Sequence, residues 1–254
     1  MGFLMVLSKR NAPFFMRFGG SFVIRYSVIE EKNPREIVLL RGFGCSWGRC
    51  AFCDYHLDRS ADAAENYALN AGVLGQVTGQ YGRLEVINSG SFPELDEKTI
   101  DRVEQVCRDK GIHTLHFECH WLHRRALPAL RERFAKAGVQ VKVKSGIETF
   151  DWAFRENVLH KGIGVRDPAE IAAPFDECCL LFGLTGQTED SMRQDIQTGL
   201  QYFERVCVNL MVENSAALHP DWEVERLFRK NIYPLYCDNP RVDILLENTD
   251  FGVG

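Results

Sequence analysis

No run of apolar residues in the chain approaches the roughly 18–20 needed to cross a bilayer, so a membrane-spanning role is not expected. No Pro-, Gly- or Ser-rich linker, internal repeat or low-complexity tract divides the sequence. A basic excess is also missing. The 30 Lys and Arg are outnumbered by 35 Asp and Glu, giving a net charge of -5 and a pI near 5.8. Phosphate backbones want a basic face, so stable nucleic-acid binding is not expected. Arg124, Arg125, Arg131 and Arg133 lie close together but read as a solvated helix face. A disulfide framework is disfavoured too, because the nine cysteines are odd in number and three crowd into one stretch. That usage points to a reducing cytoplasm.

What is present is ordinary for one sizeable core: 254 residues, 45% hydrophobic and 26% charged. The opening MGFLMVLSKRNAPFFMRFGG has a short apolar patch without leader anatomy. Residues 1–21 are therefore read as an extension with little order, and residues 22–254 as a single domain. Apolar runs at 24–28, 36–40, 84–88, 114–119, 139–143, 179–182, 206–212 and 242–246 predict strands. Helical spacing predicts helices over 61–81, 96–109, 127–137, 189–203 and 222–229, with Asp96 as an N-cap. Strand and helix alternate about six times, which predicts an α/β domain built on a parallel sheet.

The most informative stretch is RGFGCSWGRCAFCDYHLD, residues 41–58. Cys45, Cys50 and Cys53 are spaced C-x4-C-x2-C on a loop that follows the 36–40 strand, where parallel α/β folds place their chemistry. Three thiolates that close suit an iron–sulfur cluster with one iron left open, or a zinc ion completed by Asp54 or His56. No further C-x-x-C supplies the second ligand pair of a four-cysteine zinc site.

The cysteine spacing, with Phe52 just before the last cysteine, resembles the radical S-adenosylmethionine (SAM) superfamily, whose usual spacing is one residue shorter in the first gap. That resemblance implies a partial (β/α)6 barrel of the radical SAM type. It also implies a [4Fe-4S] cluster on Cys45, Cys50 and Cys53, bound SAM, a 5′-deoxyadenosyl radical that abstracts hydrogen, and an electron donor such as flavodoxin or ferredoxin. Strand-end residues then match family positions for the cofactor: Phe52, Ser89, Gly90, Glu118, Lys144, Ser145 and Glu148. Gly183 and Gly186, in GLTGQT, are similar to a GLPGQT segment of the coproporphyrinogen dehydrogenase-like branch, where backbone passes close to adenine.

The pieces KNPREIVLLRG, CDYHLD, VINSGSFPELDEKTI, HFECHW and NTDFGVG resemble the small radical SAM queuine lyases of bacterial queuine salvage. The resemblance runs from about Tyr26 onward. It implies cleavage of the C–N bond of queuine to a 7-deazaguanine base, and so a small-molecule substrate. Candidates for proton movement are Glu118 and His120. Candidates for substrate contact are Phe92, Trp121, Asn209, Glu213, Asp243, Asn248 and Asp250, since carboxylates accept from a deazaguanine edge and rings stack on its face. The histidines of HFECHWLH could instead hold a second metal, or line a cavity as the polar face of a strand. A tRNA or peptide substrate, and a non-catalytic zinc module, stay open as other classes.

Overall fold

The computed structural model describes residues 24–246, and before them the backbone of two short antiparallel strands, β1 (Met16–Phe18) and β2 (Ser21–Val23). The main sheet has eight strands, with β3 (Tyr26–Ile29) at one edge. It continues through β4 (Arg35–Leu40), β5 (Arg83–Asn88), β6 (Thr114–Glu118) and β7 (Gln140–Glu148). β8 (Glu177–Phe182), β9 (Arg205–Leu210) and β10 (Val242–Leu245) complete it in chain order. From β4 to β10 every pairing is parallel, and only β3 runs antiparallel, against β4. The sheet curls into a half-barrel.

Helices cover the convex side. They are α1 (Ala63–Leu74), α2 (Glu97–Asp109), α3 (Leu127–Lys136), α4 (Trp152–Asn157), α5 (Pro168–Ala172), α6 (Glu189–Tyr202), α7 (Trp222–Leu227) and α8 (Tyr233–Tyr236). Asp96 accepts from the Thr99 amide and caps α2, as its place in the sequence predicts. α1 stops at Leu74, short of residue 81, with Gly75 as its C-cap, and the chain then turns at Gly79 (φ 84°). A Cβ at Gly79 would lie 2.1 Å from the Lys110 carbonyl, so only glycine fits that approach. α4 and α5 are absent from the sequence expectation. They span six and five residues, too few for a periodic stripe, and rest on the caps Asp151 and Asp167. A single π turn, Phe228–Ile232, joins α7 to α8 just before Pro234, which has no N–H to give.

Alternation along the strands separates two interiors. Leu84, Val86, Leu115, Phe117, Val141, Val143, Leu180, Phe182, Val206 and Val208 are buried in the layer between sheet and helices. The concave face carries Arg35, Glu85, His116, Lys144, Glu177, Arg205 and Asp243, all largely buried. These groups pair with one another, and Arg205 Nε alone among them is buried without a partner. Glu85 contacts Arg35 and Lys144, Arg205 reaches Glu177 at 2.5 Å and Asp243 at 2.7 Å, and His116 meets Glu177 at 3.0 Å. Burial alone would raise the Glu85 carboxyl, but Arg35, Lys144 and Arg205 outweigh it and hold it well below the usual range. The same balance takes Glu177 down to about 2, with His116 and Arg205 overcoming its burial.

Candidate functional site

At the C-terminal ends of the strands β4 runs into Arg41 and Gly42, and a loop bulges out before returning at Arg59. A parallel bridge between Gly42 and Arg59 and a 3.2 Å bond from the Ser60 amide to the Gly42 carbonyl close its neck. Asn70 of α1 clasps the entry, accepting from the Arg41 amide and donating to the Arg41 carbonyl, each at 2.8 Å. The Ser46 and Ser91 amides each donate to Glu94 at 2.7 Å, so one carboxylate ties the loop to the segment after β5. Gly90 lies where the two backbones cross, since a Cβ there would come 3.0 Å from the Gly44 carbonyl oxygen and 3.2 Å from the Cys45 Cα. The far side is held by Ala51, whose amide donates to the Leu159 carbonyl, and by Asn214, which donates to the Phe52 carbonyl.

This anchoring brings Cys45, Cys50 and Cys53 to the wall of one cleft of about 670 Å³, open to solvent. Phe52, Tyr55, Asn88, Ser89, Gly90, Glu118, His120, Glu148 and Lys161 share its lining. As free thiols Cys50 and Cys53 are raised by burial, Cys53 to about 12. Among the described residues no three His, Cys, Asp or Glu side chains stand ready to hold a single metal ion. One zinc would draw its thiolates to about 3.8 Å of one another, given Zn–S bonds near 2.3 Å. A cluster takes each thiolate on a separate iron. Asp54 is occupied by the Ser215 amide and hydroxyl, and His56 is not in the cleft lining. The donor set fits a cluster better than a Cys3His zinc ion.

Two further features suit an organic ligand beside those thiols. Asn88 Oδ1 is buried in the cleft wall with no partner, an acceptor aimed at a donor the protein does not provide. Lys161 donates to Glu148 at 2.7 Å and stands 5.4 Å from the Phe52 ring centroid. Burial would lower the Lys161 ammonium, but Glu148 and the nearby Cys50 raise it, so it stays charged. Glu148 reaches this place through a bulge at the end of β7, at φ 67°, a left-handed conformation that costs a non-glycine residue about 1–3 kcal/mol. Asn88, Glu94 and Lys161 are absent from the sequence reading. Only the strand end LEVIN signals Asn88, and no local pattern marks the other two.

The remaining candidates divide. Ser89 lines the cleft, its hydroxyl accepting from the Gly42 amide at 2.9 Å. Glu118 faces the cleft, 3.1 Å from Lys144, and also borders a deeper chamber with Asn209, Cys207 and Lys144. His120 lines the cleft, but both ring nitrogens are engaged. Nδ1 accepts from the Leu122 amide at 3.2 Å, and Nε2 donates to the Lys161 carbonyl at 2.8 Å. Burial and the neighbouring Lys161 lower its pKa to about 4, so it is a neutral cap rather than a free acid or base. Phe92 and Trp121 need correction as substrate contacts. Phe92 is fully buried against Phe117 and Phe134 in the helix-side core, and Trp121 packs with Phe175 and Arg124. Ser145 pairs with Cys178 in β8 and belongs to the convex side. Asp243 is spent on Arg205 and Arg35, and Glu213 is exposed and paired with His219 at 2.6 Å. Gly183 (φ 94°) and Gly186 (φ 97°) shape the turn after β8 outside the cleft lining. Asn248 and Asp250 lie outside the described residues.

A parallel half-barrel that carries three thiols at its C-terminal mouth, on the loop after the first parallel strand, defines a radical SAM enzyme. No protein-family model matches the chain, and no curated protein matches it. Among solved structures it is similar to "queuine lyase from Clostridium spiroforme bound to SAM and queuine", at 44% identity and a TM-score of 0.85. The match covers 91% of this chain and 98% of that one. A methylornithine synthase matches at 13% identity and a TM-score of 0.48, over 71% of this chain and 54% of the other. The chain belongs to the queuine lyase family of radical SAM enzymes.

Proposed function

We propose that this protein is a queuine lyase that breaks the C–N bond of queuine and releases a 7-deazaguanine base for salvage into tRNA. The observation that carries the reading is 44% identity across nearly the whole of a relative described as bound to SAM and queuine. Cys45, Cys50 and Cys53 hold a [4Fe-4S] cluster in this reading, and Asn88 Oδ1 accepts from the amino group of SAM. When bound, the pair supplies a 5′-deoxyadenosyl radical that takes hydrogen from the substrate. The chain's own residues bind, orient and shield. Lys161, kept charged by Glu148, offsets negative charge beside Cys50 and Cys53. Glu118, set by Lys144, presents an acceptor to both the cleft and the deeper chamber that Asn209 borders. Glu118 as an acceptor and Asn209 as an amide suit the hydrogen-bonding edge of a deazaguanine. An electron donor of the flavodoxin or ferredoxin kind completes the system. The described cysteines are all free thiols, which supports a cytoplasmic setting.

Anaerobic reconstitution with iron and sulfide, then dithionite and SAM with and without queuine, tests this. About four irons per chain are expected. 5′-Deoxyadenosine should form faster with queuine, and a smaller deazaguanine should appear. SAM cleavage indifferent to queuine would remove the substrate assignment. A colourless protein that binds zinc would remove the radical chemistry as well.

A further inference from the structure

Nine cysteines are more than a three-thiol loop uses, and the others are not equivalent. Cys107 and Cys178 pack in the helix-side core, and Cys237 follows α8. Cys119 lines the cleft but gives its thiol to the His120 carbonyl at 3.4 Å. Cys179 and Cys207 stand apart from these. They are register partners on the adjacent parallel strands β8 and β9, and both side chains leave the sheet on its concave face. Strand spacing sets their Cα atoms about 5 Å apart, and the two thiols hydrogen-bond to one another. Cys179 lines the cleft, whereas Cys207 lines the deeper chamber. Cys179 Sγ lies 3.9 Å from Glu118 Oε1, and Cys207 Sγ lies 3.9 Å from Asn209 Oδ1. The thiol pair therefore spans the passage from cleft to chamber, beside both groups assigned to the deazaguanine edge. The bond to Cys207, with burial added, raises the Cys179 thiol well above its ordinary value, so it keeps its hydrogen.

We propose that Cys179 is a catalytic residue, the hydrogen-atom donor that closes the reaction, with Cys207 as its sulfur partner. This assignment rests on the queuine lyase reading, because it concerns what that reaction leaves behind. Removing a hydrogen atom from the substrate and parting its C–N bond leaves one fragment with an unpaired electron. The Cys179 S–H bond then breaks homolytically, its hydrogen atom closes that fragment, and the unpaired electron passes to sulfur. The adjoining Cys207 sulfur shares that electron. One electron from the carrier already named, together with one proton, restores the Cys179 thiol. S–H bonds are weaker than the N–H, hydroxyl O–H and aliphatic C–H bonds around them, which suits a thiol to this step. Tyr55 is the other side chain of the cleft that could give a hydrogen atom, but neither it nor Cys119 is in the chamber lining.

The test compares reconstituted parent and Cys179→Ser with dithionite, SAM and queuine, since a serine O–H bond is too strong to donate. The variant should take up the same iron and, without its cluster, bind queuine as tightly as the parent by calorimetry. It should form 5′-deoxyadenosine in a first burst yet release the deazaguanine base at least about tenfold more slowly. Freeze-quenched samples of the variant should show an organic radical by EPR that the parent does not accumulate. In cluster-free parent, diamide should join Cys179 to Cys207, seen by mass spectrometry as linked peptides lighter by the two thiol hydrogens. Base release by Cys179→Ser at the parent rate, with no trapped radical, overturns the proposal. So does the same uncoupling in Tyr55→Phe or Cys119→Ser but not in Cys179→Ser, which moves the donor to that residue. Sulfurs that diamide does not link overturn the role of Cys207. A parent whose 5′-deoxyadenosine formation ignores queuine removes the queuine lyase reading itself, an outcome distinct from failure of the thiol alone.

Discussion

The two ends of the half-barrel present the same concave face, only a few residues apart along the same strands, yet they treat polar groups in opposite ways. At the floor, Arg35, Glu85, Lys144, Arg205, Glu177, His116 and Asp243 close on one another. At the mouth, Cys45, Cys50, Cys53 and Asn88 Oδ1 face a cleft without a protein partner to complete them. Lys144 and Glu118, 3.1 Å apart, mark the boundary. A network of mutually paired ions fixes strand positions, and a set of incomplete donors fixes a ligand. The contrast shows which inward residues are structural.

Breaking the floor should have the largest effect on stability. Glu85→Ala leaves Arg35 and Lys144 as buried cations without their shared carboxylate, and a loss of about 3–5 kcal/mol is expected in urea unfolding. An equal effect from Glu118→Ala, on the mouth side, would erase the distinction. Next comes the scaffold of the mouth. A Cβ at Gly162 would lie 2.1 Å from the Trp47 ring, and its φ of 71° also disfavours any side chain. Gly162→Ala should therefore displace Trp47, whose indole donates to the His160 carbonyl at 2.9 Å, and cost about 1–3 kcal/mol. Trp47 fluorescence should shift towards that of a solvated indole; an unchanged spectrum would show that the loop does not depend on this slot.

The smallest expected effect is a pH dependence with two opposing parts. His120 has its pKa lowered from 6.5 to about 4, so the stability it contributes is complete above 6.5 and is lost as pH falls towards 4. Asp195 is raised by burial from 3.8 to about 6, so its contribution is complete below 3.8 and is lost as pH rises through 6. Between pH 6 and 4 these slopes cancel in part. Asp195→Asn keeps the acceptor for the Phe150 amide and removes the titration. The melting temperature of that variant should fall more steeply than the parent's over this range. Parallel curves would mean that one of the two assignments is wrong.

Much of this molecule was legible before its coordinates. The apolar runs became β4 to β10, because strands buried on the helix side need continuous or alternating apolar residues whatever their neighbours are. The cysteine spacing and Phe52 marked the mouth, because ligands on one short loop are neighbours by covalent geometry alone. Residues whose role depends on what faces them were not legible. Phe92 and Trp121 had suitable chemistry for stacking on a base, yet the direction of their side chains sends them into the helix-side core. Asp243 and Lys144 are strand-end or strand polar residues like Glu118, and only the curl of the sheet decides which find partners. Lys161 lies 108 positions after Cys53 in the chain, and the fold brings it to the cleft. The sequence by itself determined the order of strands and helices, the three-thiol loop and the family, since these rest on local pattern and covalent spacing. Only the tertiary structure decided which inward charges are spent at the floor and which groups stay open at the mouth, because pairing across strands far apart in sequence is settled by distance in space.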